Sequence, residues 1–412
     1  MSPDPRYAAY IRAELDAMLA RPKELHFTTE EYRERQNKAR ALMAEQQVDL
    51  LLISSPEAIA WLCGHALRWN KGQSPSDWPA LQTLVLRHDS DRLVLFETNG
   101  HEEMIEMHSV VTDARIYPER DVEEALDFIV GELRSEGWLN GRVGVEQWSY
   151  IPNRYVGGRF EARLREAGCE IVDVSLPVRA LRRVKSAQEL QYIEKAAAIC
   201  DAGLIAVRDV LQPGMTELEV WSEMLRGMVA AGGEPAALHE SVVVGPIEQG
   251  HAFSTRREIK RGDYVWVDPC GVYNHYHANV AATFFVGEAP EEALEISAIQ
   301  AGAYELLCQT ARVGTPIRET NRVLKEYYED AGTWGLHNWT GGYELGLSFP
   351  PDWVGEFQYT IGEEDVEGVF LADTVTNFES VVNFIMIDTV VYQESGTRTL
   401  SSLPHGVTVV PV

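Results

Sequence analysis

Residues 250–279 read GHAFSTRREIKRGDYVWVDPCGVYNHYHAN, and they form the densest set of chemically useful side chains in the chain. The centre of this stretch, YVWVD over 264–268, alternates apolar residues and ends on a carboxylate, as a half-buried β-strand does. We therefore predict that Asp268 lies at a strand end and faces a cleft, although an Asp at this position can also cap a turn. His251 precedes the strand in a loop, where a histidine can transfer protons or remain an ordinary loop residue.

The 412 residues around this stretch are enough for two domains, which we place at 1–178 and 179–412. Strand-like and helix-like patterns alternate along residues 1–178, which predicts an α/β domain. In 179–412, a capping box at Ser186 and Glu189 begins a long helix, and Pro213-Gly214 separates it from a second helix. The same order of helix, turn, helix and strands occurs again, which predicts an α+β domain with pseudo-two-fold symmetry and a site between its halves.

Composition excludes several classes of partner. The chain has 63 acidic and 36 basic residues, a net charge of −27, which disfavours binding to nucleic acid or to an anionic membrane. Its five cysteines include no CxxC pair, so a disulfide framework is not expected and a reducing cytoplasm fits best. The acidic first residues do not resemble a signal peptide, and no apolar run reaches the length of a membrane span.

Taken together, the motifs resemble those of the creatinase/prolidase/methionine aminopeptidase superfamily over nearly the whole chain. The resemblance implies an α/β N-terminal domain and a C-terminal catalytic domain with the α+β pita-bread fold. No single motif decides it, but their order and spacing do. The matching segments are FTTEEYRERQNKARALM at 27–43, VKSAQEL at 184–190, LQPGMTE at 211–217, RGDYVWVD at 261–268, and FES and IDTVV at 378–380 and 387–391.

Peptidases of this superfamily hold two divalent metals on Asp, Asp, His, Glu and Glu. The positions that match these ligands are Asp268, Asn279, Tyr343, Glu379 and Ile387, with Asp388 as the alternative for the last one. Only two of the five ligand types are present, and two carboxylates with an amide and a phenol cannot balance two divalent cations. The resemblance therefore predicts no metal and no other cofactor here, and it disfavours aminopeptidase or prolidase chemistry.

The superfamily also contains metal-free hydrolases that cut non-peptide C–N bonds, and the chain resembles the ectoine-hydrolase-like and creatinase-like members most. His251 matches the catalytic histidine of creatinase. Ectoine-hydrolase-like members share a Tyr-His pair at Tyr276-His277, a GY-x-x-G motif at 342–346 and the segment PPDWVGE at 350–356, here with an inserted Val. Asp268 stands where those members have Glu, and Glu379 where they have His. Ala281 replaces a creatinase glutamate, so the substrate need not be creatine or ectoine.

We assign catalysis to four residues. Asp268 is the nucleophile or the base that activates water, and His251 moves a proton to the leaving nitrogen. Glu379 binds a cationic nitrogen of the substrate, and Tyr343 donates a hydrogen bond to a developing negative oxygen. His277 is a reserve proton carrier, or else a structural strand histidine.

Substrate binding is assigned to aromatic and charged residues near these four. Aromatic rings beside carboxylates suit a cation, and a lysine or arginine in the loop 65–79 suits a substrate carboxylate. In creatinase-like dimers the matching loop reaches the partner's active site, so the resemblance implies a homodimer in which 65–79 lies near the partner's site. The residues assigned to substrate binding are Trp69, Lys71, Tyr276, His277, Glu344, Asp352 and Trp353.

Three functions stay open from the sequence. The first is a metal-independent hydrolase of a small zwitterion or of a cyclic amidine or guanidino compound. The second is a metal-independent lyase, in which Asp268 removes a proton beside a carboxylate and a leaving group departs without water. The third is a degenerate, non-catalytic binding protein, which the retention of His251, Asp268 and Glu379 disfavours.

Overall fold

The structure is a computed structural model that describes residues 4–66, 80–117, 121–245, 252–336, 339–363 and 365–412. Contacts divide the chain into two compact units, Met1–Arg182 and Arg183–Val412. The predicted boundary at 178/179 falls inside a helix, Ser175–Ala180. Among the described helices, none combines the length and the apolar character that crossing a bilayer requires.

The first unit is a mixed sheet flanked by helices. Its helices are α1 Pro5–Leu19, α2 Thr29–Gln46, α3 Pro56–Cys63, α4 Glu102–His108, α5 Val122–Ser135, α6 Arg154–Glu166 and α7 Ser175–Ala180. Its strands are β1 Leu50–Ile53, β2 Thr83–Arg87, β3 Ser90–Thr98, β4 Asp113–Tyr117, β5 Arg142–Val145 and β6 Glu170–Asp173, in the order β4-β3-β2-β1-β5-β6. Strand β2 pairs antiparallel with both neighbours, whereas β1 with β5 and β5 with β6 are parallel. The α/β class predicted from the sequence is confirmed.

The second unit repeats a helix pair followed by strands. The first half contains α8 Ala187–Val210, α9 Glu217–Ala230, β7 Ser241–Val244, β8 Tyr264–Asp268, β9 Cys270–Tyr273, β10 Tyr276–Asn279 and β11 Ala282–Val286. The second half contains α10 Glu291–Thr310, α11 Ile317–Asp330, β12 Trp339–Tyr343, β13 Phe357–Thr360, β14 Thr374–Val381, β15 Ile387–Gln393 and β16 Gly396–Thr399, and β17 Thr408–Val410 returns to β11. This arrangement confirms the predicted pseudo-two-fold α+β domain.

Local sequence signals set the helix starts of this unit. Ser186 with Glu189, and Thr216 with Glu219, form reciprocal capping boxes at the beginnings of α8 and α9. Each box satisfies backbone N–H groups that the first helical turn leaves unpaired. The helices then pack on three sheets: α8 lies against the hairpin β10-β9, α9 against β17-β11-β8-β7, and α10 and α11 against β13-β12-β14-β15-β16.

Strand alternation decides which side chains reach the site. Val265 and Val267 of β8 point into the core formed with α8 and α9. Trp266 lies on the other face, in an apolar cluster that includes Ile387. Since residues two apart share a face of a strand, Asp268 projects on the Trp266 side, away from the helices.

The close approach of β9 to α8 gives a stability test. A Cβ built on Gly271 would lie 1.9 Å from the carbonyl oxygen of Ala196 in α8. Because a backbone atom cannot rotate away, we expect Gly271→Ala to destabilise the protein by about 2–3 kcal/mol, measured by chemical denaturation.

Gly158→Ala is the control, since its added Cβ meets nothing within 4 Å in the exposed face of α6. That substitution should be neutral or stabilising by up to about 1 kcal/mol. Equal stability of the two variants would contradict the packing described here.

Candidate active site

Asp268, at the end of β8, is partly buried and held by an amide. The Nδ2 of Asn279, at the end of β10, donates to Oδ1 of Asp268 at 2.8 Å and to the carbonyl oxygen of Pro269 at 3.3 Å. Asn279 is itself 0% exposed, and its backbone N–H donates to the Thr389 hydroxyl. One carboxylate oxygen of Asp268 is therefore fixed by the protein.

Glu379, on β14, joins the same network through a second buried amide. The Nδ2 of Asn377 donates to Oε1 of Glu379 at 2.9 Å and to Oδ1 of Asn279 at 3.3 Å. Asn377 also accepts a 3.0 Å hydrogen bond from the backbone N–H of Tyr343, at the end of β12. A continuous chain of amide hydrogen bonds thus connects Asp268 with Glu379 across the two halves of the second unit.

Tyr343 contributes a phenol hydroxyl to the site. Its ring also forms an aromatic wall together with Trp339, Trp353 and Phe357. Its hydroxyl donates to Glu379, and burial raises the pKa of Tyr343 well above its ordinary value, so the phenol stays protonated. Its ring lies 6.0 Å from that of Trp353 and 5.6 Å from that of Phe357. Trp339 adds a third ring, 6.3 Å from Tyr343.

Burial gives the acidic residues unusual proton affinities. It raises the pKa of Asp268 to about 6, with the charge of Glu240 adding to the effect. It raises the pKa of Glu379 to about 7, with the charge of Asp268 as the second cause. Burial also raises the pKa of Glu240 to about 7. Three carboxyl groups therefore titrate near neutrality, as groups that transfer protons at that pH should.

Asn377 is a site residue that the sequence reasoning missed, and Glu240 is a buried acid close to the site that it also missed. Glu240 immediately precedes β7, whose Ser241 pairs with Asp268. Asn377 lies two residues before Glu379 on the same strand, so the two side chains share a face. The two-residue spacing of Asn377 and Glu379 could have indicated from the sequence that both side chains share a face. The position of Glu240 could not be predicted in this way, because it depends on the register between β7 and β8.

The fifth ligand position of the metallopeptidases falls on Ile387. In the β14–β15 register Glu379 pairs with Ile387, so these two residues share a face. Asp388 points to the opposite face, where its carboxylate binds His405 Nε2 at 2.8 Å and the N–H of Ser401. The alternative ligand considered from the sequence is therefore wrong.

The donor set does not fit a pair of divalent ions. Two carboxylates face the site, while the amide of Asn279 and the phenol of Tyr343 are already used in hydrogen bonds to those carboxylates. Within the described ranges, no group of three His, Cys, Asp or Glu side chains is arranged to hold a metal. The site is bordered by a cluster of buried apolar side chains. Its members are Val243, Trp266, Ala281, Val381, Ile385 and Ile387.

The structure corrects the roles assigned to Tyr276 and His277. The ring of His277 donates from Nδ1 to the carbonyl of His275 and accepts at Nε2 from the N–H of Ala237, at 2.9 and 3.1 Å. Burial lowers the pKa of His277 to about 4, so it is neutral and both ring nitrogens are bound by backbone. The Tyr276 hydroxyl donates to Glu189 of the α8 capping box. Both residues fix the fold beside the site.

The structure also places the other residues assigned to substrate binding. Trp353 lies beside Tyr343, whereas Glu344 and Asp352 are engaged in other contacts. Glu344 forms an ion pair with Arg183 and accepts from Gln358. The Asp352 carboxylate is exposed and accepts from the N–H groups of Trp353 and Val354, so it shapes its own turn. Trp353 is buried beside Tyr343, and its indole Nε1 has no hydrogen-bond partner among the described residues. His251, Trp69 and Lys71 lie outside the described residues.

Comparison with known families agrees with this architecture. Residues 35–184 match the creatinase/prolidase N-terminal domain, and 191–379 match metallopeptidase family M24. Residues 191–379 thus carry a domain of metallopeptidase family M24, preceded by a creatinase/prolidase N-terminal domain. Like other proteins with these domains, the chain carries the pita-bread fold, and its relatives place it among the M24 hydrolases.

Individual relatives of this chain differ in how much of it they cover. Ectoine hydrolase of Halomonas elongata is 24% identical over 92% of the chain and 98% of that protein. Xaa-Pro dipeptidase of Pyrococcus furiosus is 25% identical over 54% of the chain and 64% of that protein. The X-Pro aminopeptidase structure from Thermotoga maritima covers 91% of the chain and 99% of its own, with a TM-score of 0.76 and 18% identity.

Because only two of the five metal-ligand types of the peptidases are present, we predict that Mn²⁺ and Co²⁺ do not bind in this site. Calorimetric titration of the wild-type protein and of Asp268→Asn with either ion should give superimposable heats, because Asp268 contributes to no metal site. Retention of two ions per chain through dialysis, lost in Asp268→Asn, would contradict this prediction.

The raised carboxyl pKa values predict a stability that depends on pH. The unfolded chain loses the Asp268 proton near 3.8, whereas the folded chain keeps it until about pH 6. The folded state therefore binds more protons between these values, and its stability falls as the pH rises through this window. At pH 8, where the wild-type carboxylate is ionised, Asp268→Asn should be more stable by roughly 1–3 kcal/mol.

Urea denaturation at pH 4 and pH 8 measures this difference, which should nearly disappear at pH 4, where Asp268 is mostly protonated in the folded state. Glu292→Gln, an exposed position in α10, should give the same stability change at both values. A less stable Asp268→Asn at pH 8 would contradict the electrostatic account.

Proposed function

We propose that this chain is a metal-independent hydrolase of a non-peptide C–N bond in a small cationic or zwitterionic compound, of the cyclic amidine or guanidino class. The observation that carries the proposal is the pair Asp268 and Glu379, both with raised pKa and joined by buried amides, where Ile387 takes a ligand position of the metallopeptidases. An ectoine hydrolase that aligns with 92% of the chain supports the same choice.

In this mechanism Asp268 is the reactive carboxylate. Its Oδ1 is bound by Asn279, which leaves Oδ2 to attack the electrophilic carbon or to remove a proton from an attacking water. With a pKa of about 6, Asp268 is mostly ionised at pH 7, as either role requires. The C–N bond breaks as the leaving nitrogen receives a proton.

Glu379 and Tyr343 act on the opposite side of the same network. The pKa of Glu379, about 7, lets it be protonated in part of the population at neutral pH, so it can exchange a proton with the reacting nitrogen. Tyr343 keeps its proton, and its hydroxyl can turn from Glu379 to donate to an oxygen on which negative charge develops. His251 is proposed as the proton shuttle on the strength of its match to creatinase.

The aromatic wall selects a positively charged substrate. Tyr343, Trp353 and Phe357 present rings beside the acidic residues, and the negative face of a ring attracts a cation. We further propose a cytoplasmic homodimer in which loop 65–79, with Trp69 and Lys71, lies near the partner's site.

Turnover of a substrate panel tests the proposed reaction. The panel contains ectoine, creatine, related cyclic amidines and guanidino acids, and betaines. Asp268→Asn should lower turnover of any hydrolysed compound by about 10³-fold or more, because it removes the nucleophile or base. Uptake of ¹⁸O from labelled water into the product identifies hydrolysis.

Glu292→Gln is the charge-matched control and should keep wild-type activity. Near-normal turnover by Asp268→Asn would overturn the mechanism. Product formation without ¹⁸O would favour the lyase, and absence of turnover with tight binding would favour a binding protein.

A further inference from the structure

A second cavity, of about 240 Å³, lies inside the second unit where its two halves meet. Its walls come from α8, β11, β15 and the C-terminal segment 401–408. Leu204 and Phe284 in these walls belong to the apolar core around α8 and α9, whereas Met386 belongs to the core around α10 and α11. A molecule in this cavity would therefore contact both cores at once.

The cavity is separate from the acidic site. Ala281 and Ile387 join the two halves through backbone hydrogen bonds, and they contribute both to the cavity walls and to the apolar cluster that borders the site. Met386, next to Ile387, belongs instead to the core on the helix side. Neither Asp268 nor Glu379 lines the cavity. A ligand here would thus lie on the helix side of the connection between the halves.

The charge of the cavity walls is unusual for this chain. Among the described residues that line it, none is acidic, although the chain has 63 acidic residues, and Arg208 and His405 are the basic ones. The Nε2 of His405 is bound to the enclosed carboxylate of Asp388. Arg208 contacts Asp209 of its own helix through Nε and Nη2, while its Nη1 bonds no described residue. An exposed pair of this kind contributes little to stability, so the guanidinium is able to bind an anion.

Size and charge together define the ligand. An apolar cavity of about 150 Å³ is large enough for benzene, so this larger one holds an aliphatic molecule of about seven non-hydrogen atoms. We propose that the cavity is a second binding site, which takes a short aliphatic monocarboxylate. The carboxylate pairs with Arg208, and the alkyl tail packs against Leu204, Phe284 and Met386. This site goes beyond the proposed function and does not depend on it.

Three test ligands separate the charge requirement from apolar packing. Valerate and pentylamine have similar alkyl chains and opposite charges, and acetate has the carboxylate with almost no tail. Calorimetric titration of the full chain should show that valerate binds at least tenfold more tightly than either of the others. In ¹³C-methyl NMR of the methionines, valerate should shift the signal of Met386, which Met386→Leu identifies.

Two variants test the walls of the cavity. Arg208→Gln should raise the valerate dissociation constant about fivefold or more, because the charged partner is lost. Arg226→Gln is the matched control, since Arg226 is also an exposed arginine paired with an acid of its own helix, Glu223, and it should leave the constant unchanged. Ala282→Leu fills the cavity and should also weaken valerate at least fivefold. Thermal unfolding checks that each variant is folded.

The proposal is overturned if pentylamine binds as tightly as valerate, or if folded Arg208→Gln binds valerate like wild type. Valerate that binds without shifting the Met386 signal, or that does not bind at millimolar concentration, overturns it as well. Asp268→Asn leaves this cavity intact and should bind valerate normally. Loss of its turnover therefore tests the hydrolase proposal separately from the second site.

Discussion

Two fully buried amide side chains, Asn279 and Asn377, hold the acidic residues of the site in one network. Carboxylates that lie close together repel each other once ionised, so such a cluster needs donors that face inward. A metallopeptidase supplies two cations for this purpose. Here two neutral amides take over. Burial raises the carboxyl pKa values, repulsion between the carboxylates raises them further, and the hydrogen bonds from the amides lower them. The network therefore sets the geometry of the site and moderates its proton affinity.

The strand that carries Ile387 and Asp388 shows why the second half of the site differs from a metal centre. Ile387 faces Glu379 and also pairs with Ala281 through backbone hydrogen bonds of 2.9 and 3.1 Å, which joins the two halves of the unit. Asp388, one residue later, belongs to a separate network with His405, whose ring stacks on Tyr304 at 3.9 Å. Asp388 therefore stabilises the fold on one face of β15, while Ile387 makes the face toward the site apolar.

Local patterns predicted the fold well. The alternation in 264–268 placed Asp268 at a strand end, the capping box at Ser186 located the start of α8, and Pro213-Gly214 located the break before α9. The site was predicted less completely, because Glu240 and Ile387 are placed by the register between segments distant in sequence. A shift of one residue in β15 would exchange Ile387 with Asp388, and the sequence of one strand does not determine that register. The sequence left a proton carrier and a structural histidine open as roles for His277 for a related reason, since its partner Ala237 lies in a loop without a pattern of its own.

His277 has a consequence for the behaviour of the site across pH. Its Nε2 accepts from the N–H of Ala237, three residues before Glu240, and its Nδ1 donates to the carbonyl of His275 in the turn before β10. With a pKa of about 4, the ring keeps this arrangement throughout the range in which Asp268, Glu379 and the nearby Glu240 titrate. The imidazole thus stabilises this loop and does not change its charge near neutrality. Between pH 5 and 8 the site is able to change its charge while the loop that frames it keeps its shape.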